Sequence, residues 1–143
     1  TGLVSYLLGI ETPLQMQRDP LLGNIFENLV VSEAVKARLN CGAEPNLFFF
    51  RNSKGLEVDL LFKENRSLSL FEVKSGKSLN EEFSKNMKKF GEIFASHIQQ
   101  GKTMGTVIYS GEDYASFKDF AYANFHNISP LFEPREEPFA LDF

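Results

Sequence analysis

Two short runs, Leu56-Glu57-Val58-Asp59-Leu60-Leu61-Phe62 and then Leu70-Phe71-Glu72-Val73-Lys74, decide how this chain is read. Both are too apolar for a surface loop and are rich in residues that suit a pleated, half-buried surface. Strand side chains alternate faces, so Glu72 and Lys74 share one side and Phe71 and Val73 the other. The same alternation groups Glu57, Asp59 and Leu61 opposite Val58, Leu60 and Phe62. The connector Lys63-Glu64-Asn65-Arg66-Ser67 is short and polar, as in a hairpin. Pairing of the two strands brings Asp59, Glu72 and Lys74 together on one face. Two carboxylates and a lysine among apolar neighbours are costly to keep in a sheet, so the cluster is a candidate functional site.

Outward from this pair, Leu47-Phe48-Phe49-Phe50 and the turn Asn52-Ser53-Lys54-Gly55 complete a three-strand meander. Before it, residues 21–40 are helical in pattern. Asn24, Asn28, Ser32 and Lys36 form a polar stripe; Leu22, Ile25, Phe26, Leu29, Val30, Ala34 and Ala37 form a broad apolar face. Glu27 and Glu33 fall on the flanks of that face, and Gly42 supplies the stop. After Ser75-Gly76, the run Ser78-Leu79-Asn80-Glu81 has capping-box form. Leu79, Phe83, Met87, Phe90 and Phe94 then predict an amphipathic helix to about Gln100. Residues 104–110 read as a buried strand, added in parallel after the helical crossover. Residues 114–125 suggest an irregular or helical stretch and then a strand near 120–125. Residues 1–10 suggest a short helix, and 11–20, with Pro13 and Pro20, a connector. Residues 131–143 suggest an extended tail.

The 143 residues suit one domain with a sizeable core, and the start at Thr1 suggests a piece of something longer. No apolar run is long enough for a bilayer, and no signal peptide is visible. The single cysteine, Cys41, excludes an internal disulfide, suits a reducing compartment such as the cytoplasm, and reads as a small buried residue. A net charge of −4 argues against a strong general nucleic-acid binder. The charge is uneven: residues 133–143 carry a local −3, whereas residues 74–89, beside the carboxylates, carry +3.

The order of helix with a glutamate, hairpin with an aspartate, and Glu-X-Lys on the next strand resembles the PD-(D/E)XK nuclease fold. Four stretches are more narrowly similar to a nuclease-like C-terminal domain of unknown function that follows an AAA+ ATPase module in many prokaryotic proteins. They are Gly2-Leu3…Tyr6-Leu7-Leu8-Gly9, Gly23-Asn24-Ile25-Phe26-Glu27-Asn28-Leu29-Val30, Phe50-Arg51…Gly55…Glu57-Val58-Asp59 and Glu72-Val73-Lys74-Ser75-Gly76. The resemblance implies an α/β fold with an αβββαβ core, a mixed central sheet flanked by helices. The core would span residues 21–132, after an N-terminal piece (1–20) and before an acidic, proline-containing tail (133–143). It implies Glu27, Asp59, Glu72 and Lys74 as catalytic residues. Asp59 and Glu72 would hold Mg²⁺ or Mn²⁺, with Glu27 binding directly or through water and the Val73 carbonyl a further ligand. Lys74 would orient or deprotonate a water or stabilise charge on phosphate. The expected activity is hydrolysis of DNA phosphodiesters, with an AAA+ ATPase module of the same protein as partner and no membrane. The alternative is an inactive nuclease-fold module that binds DNA or mediates protein interaction.

Blander readings apply elsewhere. Glu57 reads as an exposed strand-edge charge ahead of the alternative of a second ligand, and Glu33 as an ion-pair partner for Arg51 or Arg38. Lys85, Lys88 and Lys89 suit either DNA or the solvated face of a helix. His97 and His126 have no partner spacing that suggests a metal or a nucleophile, and no P-loop is present.

Overall fold

The computed structural model describes residues 2–65, 67–94, 104–117 and 120–134. Two short helices, α1 (Gly2–Leu7) and α2 (Pro13–Arg18), open the chain and bury none of their residues. Thr12 caps α2: its hydroxyl accepts from the Gln15 amide, while the Gln15 side chain accepts from the Thr12 amide. The connector region thus holds a capped helix with proline at its first position.

Helix α3 (Leu22–Asn40) follows its periodicity. Ile25, Phe26, Val30, Ala34 and Ala37 are buried, and Asn24, Asn28 and Lys36 are exposed. It stops where Gly42 adopts φ 67°, which lets the Gly42 amide donate to the Leu39 carbonyl and the Ala43 amide to that of Arg38. Cys41, expected to be buried, is exposed, because it lies in this turn past the apolar stripe.

The meander is β1 (Leu47–Arg51), β2 (Glu57–Glu64) and β3 (Ser67–Lys74), all antiparallel. A 3₁₀ turn leads into α4 (Lys85–Phe94), then β4 (Met104–Tyr109) lies parallel to β3. The start of α4 differs from the expected Ser78–Glu81 capping box. Asn80 is the cap, its side chain taking the Glu82 amide, so the 3₁₀ turn begins at Glu81. The remainder of the expected helix, 95–100, lies outside the described residues, as does His97.

Next come β5 (Tyr114–Phe117), β6 (Phe120–Asn124) and α5 (Ser129–Phe132). Residues 114–117 are therefore a strand, not an irregular or helical stretch: β6 pairs parallel with β4, and β5 covers its other edge. The expected extended tail from residue 131 is also corrected. Pro130 sits in the first turn of α5, and Phe132 is fully buried, which contributes about 2 kcal/mol. Residues 135–143 lie outside the described residues. The result is a mixed α/β fold: a six-stranded sheet of order β1-β2-β3-β4-β6-β5, flanked by helices.

Two cores sandwich the sheet. Phe26, Val30, Ala34 and Ala37 of α3 and Phe132 of α5 pack with Leu60, Phe62, Phe71, Val73 and Ile108. Met87 and Phe90 of α4 pack with Val58, Leu61, Leu70, Val107, Tyr109 and Tyr122. Simple alternation puts Val58 with Leu60 and opposite Leu61; the structure does the reverse. The cause is in the β1–β2 register. Phe48 pairs with Leu61 and Phe50 with Val58, so Asp59 and Leu60 stand opposite the single residue Phe49. That is a β-bulge, and the extra residue inverts the facing of everything beyond it. Phe71 and Val73 pack on the α3 side as well.

Candidate functional site

Strands β2 and β3 part at one point. Their paired residues run from Glu64–Ser67 to Leu60–Phe71 and stop. Each strand nevertheless stays paired to its outer neighbour, β2 to β1 as far as Glu57 and β3 to β4 as far as Lys74. The fork so opened holds Asp59, Glu72 and Lys74. Bulging turns Asp59 toward β3, where its Oδ2 accepts the Val73 amide at 2.8 Å. A carboxylate therefore takes the place of a backbone carbonyl in the ladder.

Glu72 is only 6% exposed. Its Oε1 accepts from Lys74 Nζ at 2.7 Å, but its Oε2 is buried with no hydrogen-bond partner among the described residues. Lys74 Nζ also lies 3.6 Å from Asp59 Oδ2, so one ammonium bridges both carboxylates. Burial, reinforced by the Asp59 charge and less by Glu57, pushes the Glu72 carboxyl up to about 7 against the opposing effect of Lys74. For Lys74, burial pulls the pKa down, yet its hydrogen bond to Glu72 and the Asp59 and Glu72 charges outweigh this and hold it above the ordinary lysine value. The ammonium stays charged through neutral pH.

Glu27 comes from the flank of α3. It is exposed and makes no hydrogen bond or ion pair among the described residues. Burial of part of its surface and the charges of Asp59 and Glu57 nonetheless raise its carboxyl, with Lys74 opposing. All four expected residues thus lie in one electrostatic neighbourhood, with Glu27 on its rim.

Glu57 does more than the expected exposed edge charge. It is half-buried, sits 3.8 Å from Arg51, and raises both Glu72 and Glu27. Glu33 pairs with Lys36, one helical turn away, and with neither arginine proposed for it. Arg38 is instead buried, donating to the Phe132 and Glu44 carbonyls. Lys85, Lys88 and Lys89 are exposed, and Lys85 pairs with Glu82. His126 is exposed against the Phe125 ring.

The sequence reading did not single out Phe48 and Phe49 as part of this region. They line a groove of about 310 Å³ that also includes Glu27 and Asp59. The signal was present: three consecutive phenylalanines on a strand cannot all face one core.

Among the described residues no group of three or more His, Cys, Asp and Glu side chains is gathered to hold a metal ion. Asp59 and Glu72, which share the Lys74 ammonium, are both hard oxygen donors, and one has an orphaned oxygen among the described residues. Among the described residues no helix is long and apolar enough to cross a membrane. Comparison with curated proteins and with solved structures finds no match. A family described as a domain of unknown function (DUF4143) matches residues 22–129, from the start of α3 to the first residue of α5, so the match covers the whole cluster and the chain belongs to that family.

Proposed function

We propose that this domain is a metal-dependent phosphodiesterase of the PD-(D/E)XK type, acting on DNA with Mg²⁺ or Mn²⁺. The observation that carries the reading is Glu72: a carboxylate buried beside a second one, with one oxygen unpartnered. Buried carboxylate oxygens nearly always have a partner, so an orphan one points to a bound group that would satisfy it. The order of α3, three antiparallel strands, α4 and a parallel β4 supports the same reading.

The donor set fits a small hard cation, which is content with one or two carboxylates when waters and substrate phosphate complete its shell. Asp59 and Glu72 would hold it, with Glu27 reaching it through water and the Val73 carbonyl as a further candidate. When bound, such an ion would supply positive charge beside the phosphoryl oxygens. Lys74, already cationic, donates hydrogen bonds to a phosphate oxygen and stabilises the charge that grows there. Its raised pKa makes it a poor base, so of the roles open to it, charge stabilisation and water orientation are the ones this site favours. By the same resemblance the domain works in the cytoplasm as the C-terminal part of a chain that carries an AAA+ ATPase module.

The second reading is a catalytically inactive module that keeps the fold and binds DNA or protein. Its support is the Lys74 bridge, which offsets both carboxylates without any metal. Thermal melts with and without Mn²⁺, and cleavage of labelled DNA with Mg²⁺, separate the two. Wild type should melt higher with Mn²⁺, by an amount set by mass action, and should cut. Glu72→Gln should do neither, and Lys74→Met should keep part of the Mn²⁺ shift but not cut. If Mn²⁺ shifts neither wild type nor Glu72→Gln, and Glu72→Gln destabilises, the inactive-module reading takes over.

A further inference from the structure

The groove between α3 and β1 is built unlike a surface for a nucleic-acid backbone. None of its described lining residues is a lysine or arginine, and its only charged ones are Glu27 and Asp59. Val31, Leu60, Phe48 and Phe49 are among its apolar walls. A second phosphate would be repelled here, because phosphate binding is a cationic effect.

The two phenylalanines are unusually bare. Phe49 is 77% exposed and Phe48 54%, on the outermost strand of the sheet. Exposed apolar side chains on an edge strand invite unwanted pairing unless a partner regularly covers them. What the partner must look like follows from continuity. Asp59 belongs both to this groove and to the Glu72–Lys74 cluster. A ligand with its phosphate at Lys74 therefore lays its next chemical group along the aromatic wall. In a nucleotide that group is the sugar and base.

Bases inside a duplex are stacked and show only their edges, whereas an unpaired base offers its whole face to an aromatic ring. The carboxylate of Glu27 adds an acceptor of the kind that reads an exocyclic amino group of cytosine or adenine. We infer that this groove seats an unpaired nucleobase against Phe48 and Phe49, and that the substrate class of the site is single-stranded nucleic acid. The inference rests on the phosphodiesterase reading for the phosphate's position, but the groove can be tested without cleavage.

The test is fluorescence anisotropy of the whole chain with a labelled single-stranded oligodeoxynucleotide and with the same sequence as a duplex, in Ca²⁺. Melting curves are run alongside each variant to confirm folding. Wild type should bind the single strand at least about tenfold more tightly than the duplex. Phe49→Ala should lose roughly tenfold for the single strand, as expected for one lost base–ring stack, while Phe49→Trp retains binding. An oligonucleotide with abasic sites should lose binding to wild type and be indifferent to Phe49→Ala. Equal binding of both forms, no binding of either, or a Phe49→Ala protein that binds as wild type would each overturn the inference. So would a Phe49→Ala effect confined to self-association in sedimentation, which would make the wall a contact between copies. Single-strand binding that depends on Phe49, without cleavage by any metal, keeps the groove and removes the phosphodiesterase. Metal-dependent cutting of duplex and single strand alike, indifferent to Phe49, does the opposite.

Discussion

Two cations sit at opposite ends of the β2–β3 hairpin, and their neighbourhoods differ in one respect. Arg38, on α3, is nearly inaccessible, and among the described residues none of its nitrogens is left buried without a partner. Its Nε donates to the Glu44 carbonyl and its Nη1 to that of Phe132, its guanidinium lies over the Phe62 ring, and Glu64 is 3.8 Å away. Lys74, half-buried, bridges Asp59 and Glu72 but leaves Glu72 Oε2 unpartnered. A buried polar atom left without a partner calls for an explanation, and the proposed metal would supply one. Arg38 fastens α5 to α3. Among the described residues Lys74 makes ion pairs only within its own fork.

The largest effect should come from breaking the closed cluster. Arg38→Ala strands two backbone acceptors and the adjoining carboxylate, and should cost about 3 kcal/mol in urea unfolding. A loss under about 1 kcal/mol would mean that the two clusters do not differ in the way described. The open cluster should show itself through pH. The Glu72 carboxyl takes its proton near pH 7 when folded and near 4.5 when unfolded, so between those values the folded state binds more protons. Stability should therefore fall as pH rises from about 4.5 to about 7, by roughly 2.5 kcal/mol. Glu27, raised in the same direction, adds to the slope. Glu72→Gln should flatten most of it and be as stable as wild type, or more so, at about pH 8. An unchanged slope would show that Glu72 is not strained.

Lys74→Met sharpens the comparison further. Without its donor the carboxylate pair repels unrelieved, so stability at about pH 8 should drop by roughly 1–2 kcal/mol and recover as the pH is lowered. A loss independent of pH would instead point to packing. The smallest effect belongs to the pair of exposed Arg51 and half-buried Glu57, where Arg51→Ala should change stability by less than about 0.5 kcal/mol.

These particulars show what sequence can and cannot carry. Helix α3 was legible because its stripe is periodic over many turns. The gathering of Asp59, Glu72 and Lys74 was legible because a short hairpin constrains which residues meet. The bulge was not, since a register depends on both strands. The alternation from Val58 to Phe62 looks regular until its partner strand is known; here Val58 and Leu60 face opposite layers. The role of Arg38 was hidden for a similar reason: one of its acceptors is 94 positions away. A proline before two apolar residues reads as tail, and only the vacancy in the core that Phe132 fills makes it helix α5.

The bond from the Val73 amide to Asp59 Oδ2 has a consequence for spectroscopy. An amide whose acceptor is a backbone carbonyl reports only whether the sheet is intact. This one has a side-chain carboxylate as acceptor, so its proton resonance registers the charge at Asp59 while the sheet stays unchanged. With valine nitrogen labelled, the Val73 peak among the chain's valines would gauge any change in charge at Asp59. Asp59→Asn would retain the acceptor and silence the charge.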